Sequence, residues 1–474
     1  MIDLSTLADP QQAVVAFLSR PASYGLPTAD VRRIETHCSL VFLVGDSAYK
    51  LKRAIRYASL DYTTVELRAR ACQAELRLNR RTAPEIYCAV WPINCGPDGV
   101  LAFNGPGPAV DFVVVMRQFA QSDLFDRLAD RGELTPELMQ ALGVSVARFH
   151  ADAEVAPAFG GSQAIRRVIA DNGRELALVG ATLDGAAMED LTSRSKIAIS
   201  RLGRLLDRRR TQGSVRRCHG DLRLANICLY EGQPTLFDCI EFSDEISCID
   251  VLYDLAFLLM DLHVRGRGDL GNVVFNTYLD RTAETDGLRA LPLFLSLRAA
   301  TRSYALAGGA RRSPDKRKAT GLVDLARRHI AAASGFLVPP PPTLIMLGGA
   351  DTVRRTDTAK MLAGQVAPVP GARILHLDRV GNATWREAFA VLAAGCSVLI
   401  EGMFTPGDER QGLAALPLTI QLLPFWLGPL PPSLSRRVWR TLEDRGSALA
   451  AVASALPLVT APRVDCQLFN NGAH

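Results

Sequence analysis

The sequence lacks long hydrophobic runs: it contains no stretch of about eighteen consecutive apolar residues, roughly the least that a membrane-spanning helix needs. It begins Met1-Ile2-Asp3, without the basic segment and apolar core of a targeting peptide. We therefore expect a cytoplasmic protein with no membrane partner.

Paired cysteine motifs are also absent, since none of the ten cysteines belongs to a CxxC sequence. Ten thiols spread over 474 residues do not indicate the disulfide scaffold of a short secreted domain. Four of them lie near one another in the sequence: Cys218, Cys228, Cys239 and Cys248. Their separations suit alternate small apolar positions better than a zinc site, so reduced core thiols are expected.

A continuous basic tract is missing as well, although the formal net charge is +5. The Arg-rich segments, such as 207–210 and 311–318, are separate, which favours solvated helix faces over a nucleic-acid surface. Aromatic residues make up only 7% of the chain but hydrophobic residues 48%, which is typical of a globular protein. Because 474 residues exceed the usual size of one core, two or three domains are expected.

The most informative segment that is present is CHGDLRLANICLYEGQPTLFDCIEF, at 218–242. It contains three oxygen-bearing side chains at a suggestive spacing: Asp221, Asn226 and Asp238. Strands are predicted at Ile227–Tyr230 and Thr235–Phe237, with a hairpin turn at Glu231–Pro234. A tight loop and this hairpin would direct the three side chains toward one cleft.

This set of residues suits phosphoryl transfer. Magnesium takes oxygen ligands and usually keeps several waters, so Asn226 and Asp238 suffice as protein ligands. Asp221 is then available to accept the proton of an attacking hydroxyl. His219 is counted with this catalytic loop, where hydrogen bonding that fixes the loop is favoured over a direct role in the chemistry. The alternative for the whole set is an ordinary polar hairpin.

The motifs HGDLRLAN, LFDCIEF and CIDVLYDLAFLL resemble those of the aminoglycoside phosphotransferase-like kinases. Their order is similar to that in bacterial fusions of such a kinase with a P-loop ATP-binding domain of the AAA or zeta-toxin type. The resemblance implies an α/β and α+β two-domain protein with a bilobal protein-kinase-like fold. It departs at Arg223 and Ala225, where many relatives carry His and Gly.

A nucleotide-binding lobe is predicted upstream of the catalytic loop. Val41–Val44 and Ala48–Leu51 are predicted strands, and Lys50 and Lys52 share one face of the second because side chains alternate. Either lysine could reach ATP phosphates, and Lys50 is favoured. A helix is predicted over Thr63–Arg80. By resemblance, its Glu75 pairs with the lysine as in protein kinases, the alternative being an exposed pair with nearby arginines.

There is no GxGxxG motif in this lobe, so the sequence does not predict a glycine-rich loop over the ATP phosphates. The resemblance instead places the phosphate loop at Thr36–Ser39, where Ser39 contributes a hydroxyl. It places the adenine-contacting backbone after the predicted strand Phe112–Met116, so that Met116 belongs to the nucleotide site.

A domain boundary is predicted at the Pro-rich linker 338–342. Residues 1–337 would form the kinase domain, with a small lobe at about 25–118 and a large lobe at about 119–337. Residues 343–474 would form a smaller P-loop NTPase-like α/β domain. Its strands are predicted at 343–347, at 374–378 ending in Asp378, and at 397–401 ending in Glu401, before a divergent tail through Pro462.

The phosphate loop of this second domain is degenerate. With Gly349 as the first glycine of GxxxxGK[ST], Arg354 stands at the second glycine, Arg355 at the lysine and Thr356 at the hydroxyl position. A side chain at the second glycine obstructs a cradle of backbone N–H groups. An impaired nucleotide site is favoured over an active one.

The expected activity is an ATP- and Mg²⁺-dependent transfer of phosphate to a hydroxyl of a small molecule. The short link from Asp238 to Asp250 leaves no room for a peptide-docking segment. An acidic group follows Asp238, namely Glu241, Asp244 and Glu245, for which solvated loop charge is slightly favoured over contact with a cationic substrate. The alternatives are a nucleotide-binding regulatory or scaffold protein, and nucleotide hydrolysis by the C-terminal domain. The acceptor cannot be identified from the sequence.

Overall fold

The computed structural model describes residues 10–57, 59–180, 183–377, 382–408, 417 and 420–455. The described residues form two compact units. The first lies within Met1–Gly132 and Arg217–Ile249, and the second within Glu133–Arg216 and Asp250–Leu468. No described helix has both the length and the apolar character needed to cross a membrane. The predicted Asp378 and residues 456–462 of the predicted tail fall outside the described residues.

The regular elements are numbered along the chain. The strands are β1 Arg32–Glu35, β2 Ser39–Val44, β3 Ser47–Lys52, β4 Arg56–Tyr57, β5 Leu60–Asp61, β6 Tyr87–Cys95, β7 Leu101–Phe103, β8 Ala109–Arg117, β9 Val215–Arg217, β10 Ile227–Tyr230, β11 Gln233–Leu236, β12 Cys248–Asp250, β13 Thr343–Gly349, β14 Arg373–His376, β15 Val398–Gly402, β16 Gln421–Leu427 and β17 Arg440–Leu442. The described helices are α1 Pro10–Leu18, α2 Val65–Asn79, α3 Phe125–Asp130, α4 Pro136–Asp152, α5 Gly161–Leu178, α6 Gly185–Thr211, α7 Asp244–Ser247, α8 Val251–Val264, α9 Gly268–Thr282, α10 Leu291–Arg312, α11 Lys316–Phe336, α12 Thr352–Ala363, α13 Asn382–Ala393 and α14 Arg445–Ala455.

The first unit is built on a six-stranded antiparallel sheet in the order β1-β2-β3-β8-β6-β7. Side chains alternate along β8, so Val113 and Val114 are buried on opposite faces. Val113 joins a core with Phe42 and Leu51 that α1 also contacts. Val114 packs with Cys72 of α2 on the other face. The sheet is therefore covered on both sides.

The predicted strands β2 and β3 and the predicted helix α2 are confirmed with small changes of boundary. The turn between β2 and β3 places Gly45 at a φ of 55°, a conformation that suits glycine. Thr64 is the N-cap of α2, where its hydroxyl accepts a hydrogen bond from the Leu67 N–H at 3.3 Å. This cap starts the helix two residues later than predicted.

The predicted hairpin is present, but its turn is shorter than expected. Strands β10 and β11 pair with Tyr230 opposite Gln233, which leaves Glu231 and Gly232 as the turn. Their φ values are 49° and 76°, and a two-residue turn with positive φ at both positions matches the twist of paired strands. Pro234 lies in β11, which is tolerated because this sheet has only two strands.

Helices make up most of the second unit up to Phe336. Thr135 caps α4 through a hydrogen bond from the Leu138 N–H at 3.3 Å, and Pro136 is the first helical residue. Almost every residue of α8 is buried, which explains its near-continuous apolar sequence. Three further helices follow it: α9, α10 and α11.

The rest of the second unit contains a five-stranded parallel sheet in the order β14-β15-β13-β16-β17. Strand β13 is buried throughout, as expected for a central strand covered on both faces. The predicted strands at 343–347, 374–378 and 397–401 correspond to β13, β14 and β15 within a few residues.

Two buried asparagines of α9 join this helix to the edge strand β14. Asn272 donates to the carbonyl oxygens of Pro370 and Ala372 at 3.0 Å each. Asn276 donates to Ala372 O at 3.0 Å and accepts from the Ile374 N–H at 2.8 Å. These bonds satisfy backbone groups that the sheet edge would otherwise leave unpaired.

Candidate active site

The loop after His219 holds Asp221 and Asn226 together. The amide nitrogen of Asn226 donates to Oδ2 of Asp221 at 2.7 Å and to its main-chain oxygen at 2.9 Å. Gly220, at a φ of 84°, makes the sharp turn before Asp221. Arg223 adds a cation beside the same carboxylate, with its Nε 3.1 Å from Oδ2. The loop thus presents a carboxylate flanked by an amide and a guanidinium.

His219 connects this loop to the end of the hairpin. Its Nε2–H donates to the main-chain oxygen of Phe237 at 2.9 Å, and its Nδ1 accepts from the Asp221 N–H at 3.3 Å. The ring is fully buried. These two bonds set the spacing between the segments that carry Asp221 and Asp238.

The hairpin brings Asp238 back beside Asn226, as the sequence predicts. The Phe237 N–H donates to the main-chain oxygen of Asn226 at 3.0 Å, so the residue before Asp238 pairs directly with Asn226. Asp238 itself has a φ of 63°, in the left-handed region that aspartate tolerates better than most residues. Its N–H donates to the Tyr87 hydroxyl at 3.2 Å, and its side chain is 43% exposed.

Lys50 lies between two carboxylates. Its Nζ is 2.8 Å from Oε1 of Glu75 and 2.6 Å from Oδ1 of Asp238. Burial lowers the pKa of the Lys50 ammonium, but the charges of Asp238 and Glu75 outweigh burial, so the net shift is upward. Burial raises the pKa values of Glu75 and Asp238, but the charges of Lys50 and Lys52 and the hydrogen bond from Lys50 together outweigh it, and both pKa values lie below their ordinary range. All three groups are therefore charged at neutral pH.

Lys52 is more enclosed than Lys50: its side chain is 2% exposed, against 13% for Lys50. Its ammonium donates to Oε2 of Glu75 and to Oε1 of Glu241. The Tyr62 hydroxyl also donates to Oε1 of Glu241, at 2.5 Å. Both predicted lysines thus meet at Glu75, as their shared strand face indicates.

The expectation that Glu241 is a solvated loop charge was wrong. Its side chain is only 5% exposed, because it lies against Lys52 and Tyr62. The sequence contains one signal of this, since Glu241 stands between the apolar residues Ile240 and Phe242. Asp244, by contrast, is 54% exposed and pairs with Arg217 at 2.5 Å.

Ser39 and Met116 lie on strands of the same unit. Ser39 begins β2 and is buried; its N–H donates to Oγ1 of Thr36 at 3.0 Å, and its carbonyl oxygen accepts from the Thr36 N–H at 2.9 Å. Met116 is half-buried near the end of β8, opposite Ala48 and Tyr87.

Gly349, Arg355 and Thr356 belong to the second unit. Only Ala350 and Asp351 separate β13 from α12, so Arg355 and Thr356 lie within the helix. The guanidinium of Arg355 is buried and donates to Gly349 O at 2.6 Å and to Glu401 at 3.3 Å. Thr356 donates to Oε1 of Glu401 at 2.8 Å.

Glu401, at the end of β15, is buried in this second cluster. Oε1 of Glu401 also lies 2.7 Å from Nδ1 of His376. Burial raises the pKa of Glu401, but the hydrogen bonds from His376 and Thr356 and the nearby charges outweigh it and hold the pKa below its ordinary value. The carboxylate of Glu401, predicted at the end of this strand, thus contacts three side chains: Arg355, Thr356 and His376.

Asp250 and Asp254 are buried residues of the second unit. Asp250 caps α8 by accepting from the Leu252 N–H, and it forms a two-pronged ion pair with Arg209 at 2.8 and 2.9 Å. Oδ2 of Asp254 lies 3.1 Å from Nε2 of His150. His150 is a buried core residue.

Comparison with known families identifies a related protein class. The profile described as "Phosphotransferase enzyme family" (APH) matches residues 66–291. This range includes Glu75, Asp221, Asn226 and Asp238, and it excludes Lys50. An uncharacterized protein of Mycobacterium tuberculosis strain H37Rv is 30% identical over 359 residues, which is 75% of this chain and 68% of that protein.

Two solved structures are similar in part. A choline kinase from Cryptosporidium parvum Iowa II matches with a TM-score of 0.41 and 11% identity, over 69% of this chain and 93% of that one. A choline/ethanolamine kinase family protein from Mesorhizobium loti matches with a TM-score of 0.41 and 15% identity, over 68% of this chain and 99% of that one.

Proposed function

The chain belongs to the phosphotransferase enzyme family, and we propose that it transfers the γ-phosphoryl group of ATP to a hydroxyl of a small molecule with the help of Mg²⁺. The observation that carries this proposal is the position of Lys50 between Glu75 and Asp238. A lysine held by a helix glutamate beside a carboxylate is the arrangement that orients phosphates in kinases.

Asn226 and Asp238 fit a magnesium ion by the chemistry of their donor atoms. Both offer oxygen, which Mg²⁺ prefers, and the hairpin brings their backbones together. Because the amide nitrogen of Asn226 faces Asp221, its oxygen is directed away from that carboxylate. Asp238 is partly exposed and can exchange its bond to Lys50 for another partner. Bound there, Mg²⁺ would neutralise charge on the phosphate oxygens.

Asp221 is the proposed general base. It would accept the proton of the acceptor hydroxyl as that oxygen bonds to the γ-phosphorus and the bond to ADP breaks. The amide of Asn226 orients the carboxylate through the 2.7 Å bond to Oδ2. Lys50 would bind the phosphates while Glu75 holds its ammonium in place. Arg223 adds positive charge where the phosphoryl group passes.

A small acceptor is proposed because the segment after Asp238 is short. Between Asp238 and Asp250 the chain forms only the four-residue helix α7 and the strand β12. Such a segment is too short to form a peptide-docking platform. Glu241 is occupied by Lys52 and Tyr62, so a cationic acceptor would have to be recognised by other groups.

We further propose that the C-terminal domain has a P-loop-type fold without a working nucleotide site. The parallel order of β14, β15, β13 and β16 supports this fold. A phosphate cradle needs a loop of free N–H groups between strand and helix, whereas α12 begins at Thr352. The buried guanidinium of Arg355 lies between Gly349 and Glu401 instead.

The test is an untargeted screen for phosphorylated metabolites. Purified protein, ATP and Mg²⁺ are incubated with a pool of small metabolites, and Asp238→Ala serves as the inactive control. We expect at least one metabolite to gain one phosphate with the native protein and none with the variant. A complete absence of phosphorylated product, with ATP unconsumed, would reject the enzyme in favour of a nucleotide-binding regulatory protein.

A further inference from the structure

We propose that Lys52 and Glu241 are positioning residues for the metal site, acting through a buried ion pair that fixes the segment Asp238–Glu241. This inference rests on the proposed function, because it assumes that Asp238 binds the metal that accompanies the nucleotide. It assigns Lys52 a role other than phosphate binding. It also gives Glu241, which the proposed mechanism does not use, a defined task.

The backbone of this segment is anchored at three successive residues. The N–H of Asp238 donates to the Tyr87 hydroxyl at 3.2 Å. The N–H of Cys239 donates to Oδ1 of Asn79 at 2.7 Å, and the N–H of Ile240 donates to His219 O at 2.9 Å. The proposed metal-binding carboxylate therefore lies on backbone whose N–H donors from Asp238 to Ile240 are all engaged.

Glu241 anchors the same segment through its side chain. Its carboxylate accepts from the Lys52 ammonium and from the Tyr62 hydroxyl, and it is 5% exposed. A buried carboxylate without its cation raises the free energy of the folded state. Moving the segment away from Lys52 would therefore either expose the Glu241 carboxylate to water or leave it buried and unpaired. Lys52 thereby attaches the segment to strand β3.

The ion pairs form a closed chain of charges. Lys50 joins Asp238 to Oε1 of Glu75, and Lys52 joins Glu241 to Oε2 of the same carboxylate. Because Lys50 and Lys52 are two residues apart on one strand, their ammonium groups point to the same side. These ion pairs form a closed ring because Asp238 and Glu241, at its two ends, belong to one short segment.

This geometry gives the two lysines different roles: Lys50 binds phosphate, and Lys52 holds the segment in place. Lys50 has to exchange its bond with Asp238 for phosphate oxygens when nucleotide and metal bind. Lys52 is enclosed and keeps both carboxylate partners, so Glu75 and the segment stay in place during that exchange. The acidic residues of the ring, Asp238, Glu75 and Glu241, outnumber its two lysines, which favours an added cation.

The experiment measures metal binding directly. Mn²⁺ is titrated into the full chain in the presence of ADP and followed by electron paramagnetic resonance. We expect Lys52→Met and Glu241→Gln each to weaken Mn²⁺ binding by about tenfold or more, the range found for outer partners of metal ligands. The double variant should be little weaker than either single variant, because both changes break the same pair.

Matched controls separate positioning from general loss of charge. Arg56→Met and Glu245→Gln remove an exposed cation and an exposed acid close in sequence, and both should bind Mn²⁺ as the native chain does. Tyr62→Phe keeps both buried charges and removes one hydrogen bond, so it should fold and lose affinity by a smaller factor. Thermal unfolding checks that every variant is folded at the titration temperature.

The outcomes distinguish this inference from the proposed function. If the native chain binds Mn²⁺ with ADP and the folded Lys52→Met, Glu241→Gln and Tyr62→Phe variants bind it equally well, the positioning role is rejected and the proposed function stands. If the native chain binds no Mn²⁺ with ADP, the proposed function itself fails, and the inference fails with it.

Discussion

The ammonium of Lys50 lies 2.6 Å from Oδ1 of Asp238, although 188 residues separate the two in the sequence. Opposite charges at this distance each favour the ionised form of the other. Asp238 is also the carboxylate proposed to bind Mg²⁺. In this structure the Lys50 ammonium neutralises that carboxylate. The same contact makes the stability of the protein depend on pH.

Asp238→Asn should reduce the acid sensitivity of folding. The pKa of Asp238 is about 2 in the folded protein, below its ordinary value of 3.8, so its contribution is present above about pH 4 and is lost as the pH falls toward 2. The free energy of unfolding of the native chain should therefore decrease more steeply between about pH 4 and pH 2 than that of the variant. Urea unfolding at several pH values measures both, and parallel curves would contradict the ion pair.

Asp221→Asn should abolish most turnover while leaving nucleotide binding intact. The variant keeps the size of the side chain but cannot accept a proton, and loss of a general base costs roughly 10²- to 10⁴-fold in rate. ATP consumption with an active metabolite measures turnover, and calorimetry with ADP measures binding. Unchanged turnover would remove Asp221 from the mechanism.

Arg355→Ala should lower stability without affecting phosphoryl transfer. The change leaves the buried carboxylate of Glu401 without its guanidinium, and breaking a buried pair from one side costs about 3 kcal/mol or more. Urea unfolding reports that loss, and ATP turnover should match the native chain. If Arg355→Ala lost turnover while Asp221→Ala kept it, the activity would belong to the C-terminal domain.

Asn276→Ala should weaken the attachment of β14 to α9. It leaves Ala372 O without one hydrogen bond and the Ile374 N–H without its 2.8 Å acceptor, at a cost of about 1–3 kcal/mol for buried groups. Arg281→Ala, an exposed change on the same helix, is the control and should alter the unfolding free energy by about 0.5 kcal/mol or less. Equal stability of the two variants would show that the asparagine bonds contribute little.

The kinase-type domain and its phosphotransferase family were predicted from short motifs and are confirmed by the family match to residues 66–291. The roles of Asp221, Asn226, Asp238 and Lys50, the domain boundaries, and the P-loop assignment of 343–474 stay predictions. Local patterns were sufficient for the existence of α2, although the cap at Thr64 starts it two residues later than predicted. They were insufficient for the hairpin turn, because strand pairing extended β11 back to Gln233.

The sequence by itself determined the elements of this protein and the residue types at its candidate site. Apolar periodicity, caps and turn residues act over a few neighbours, so they can be recognised without knowing the fold. Only the tertiary structure decided which charges meet: Glu75 receives both Lys50 and Lys52, and Glu241 is buried against Lys52 rather than solvated. Contacts between distant segments depend on how strands and helices pack, and no local pattern specifies that.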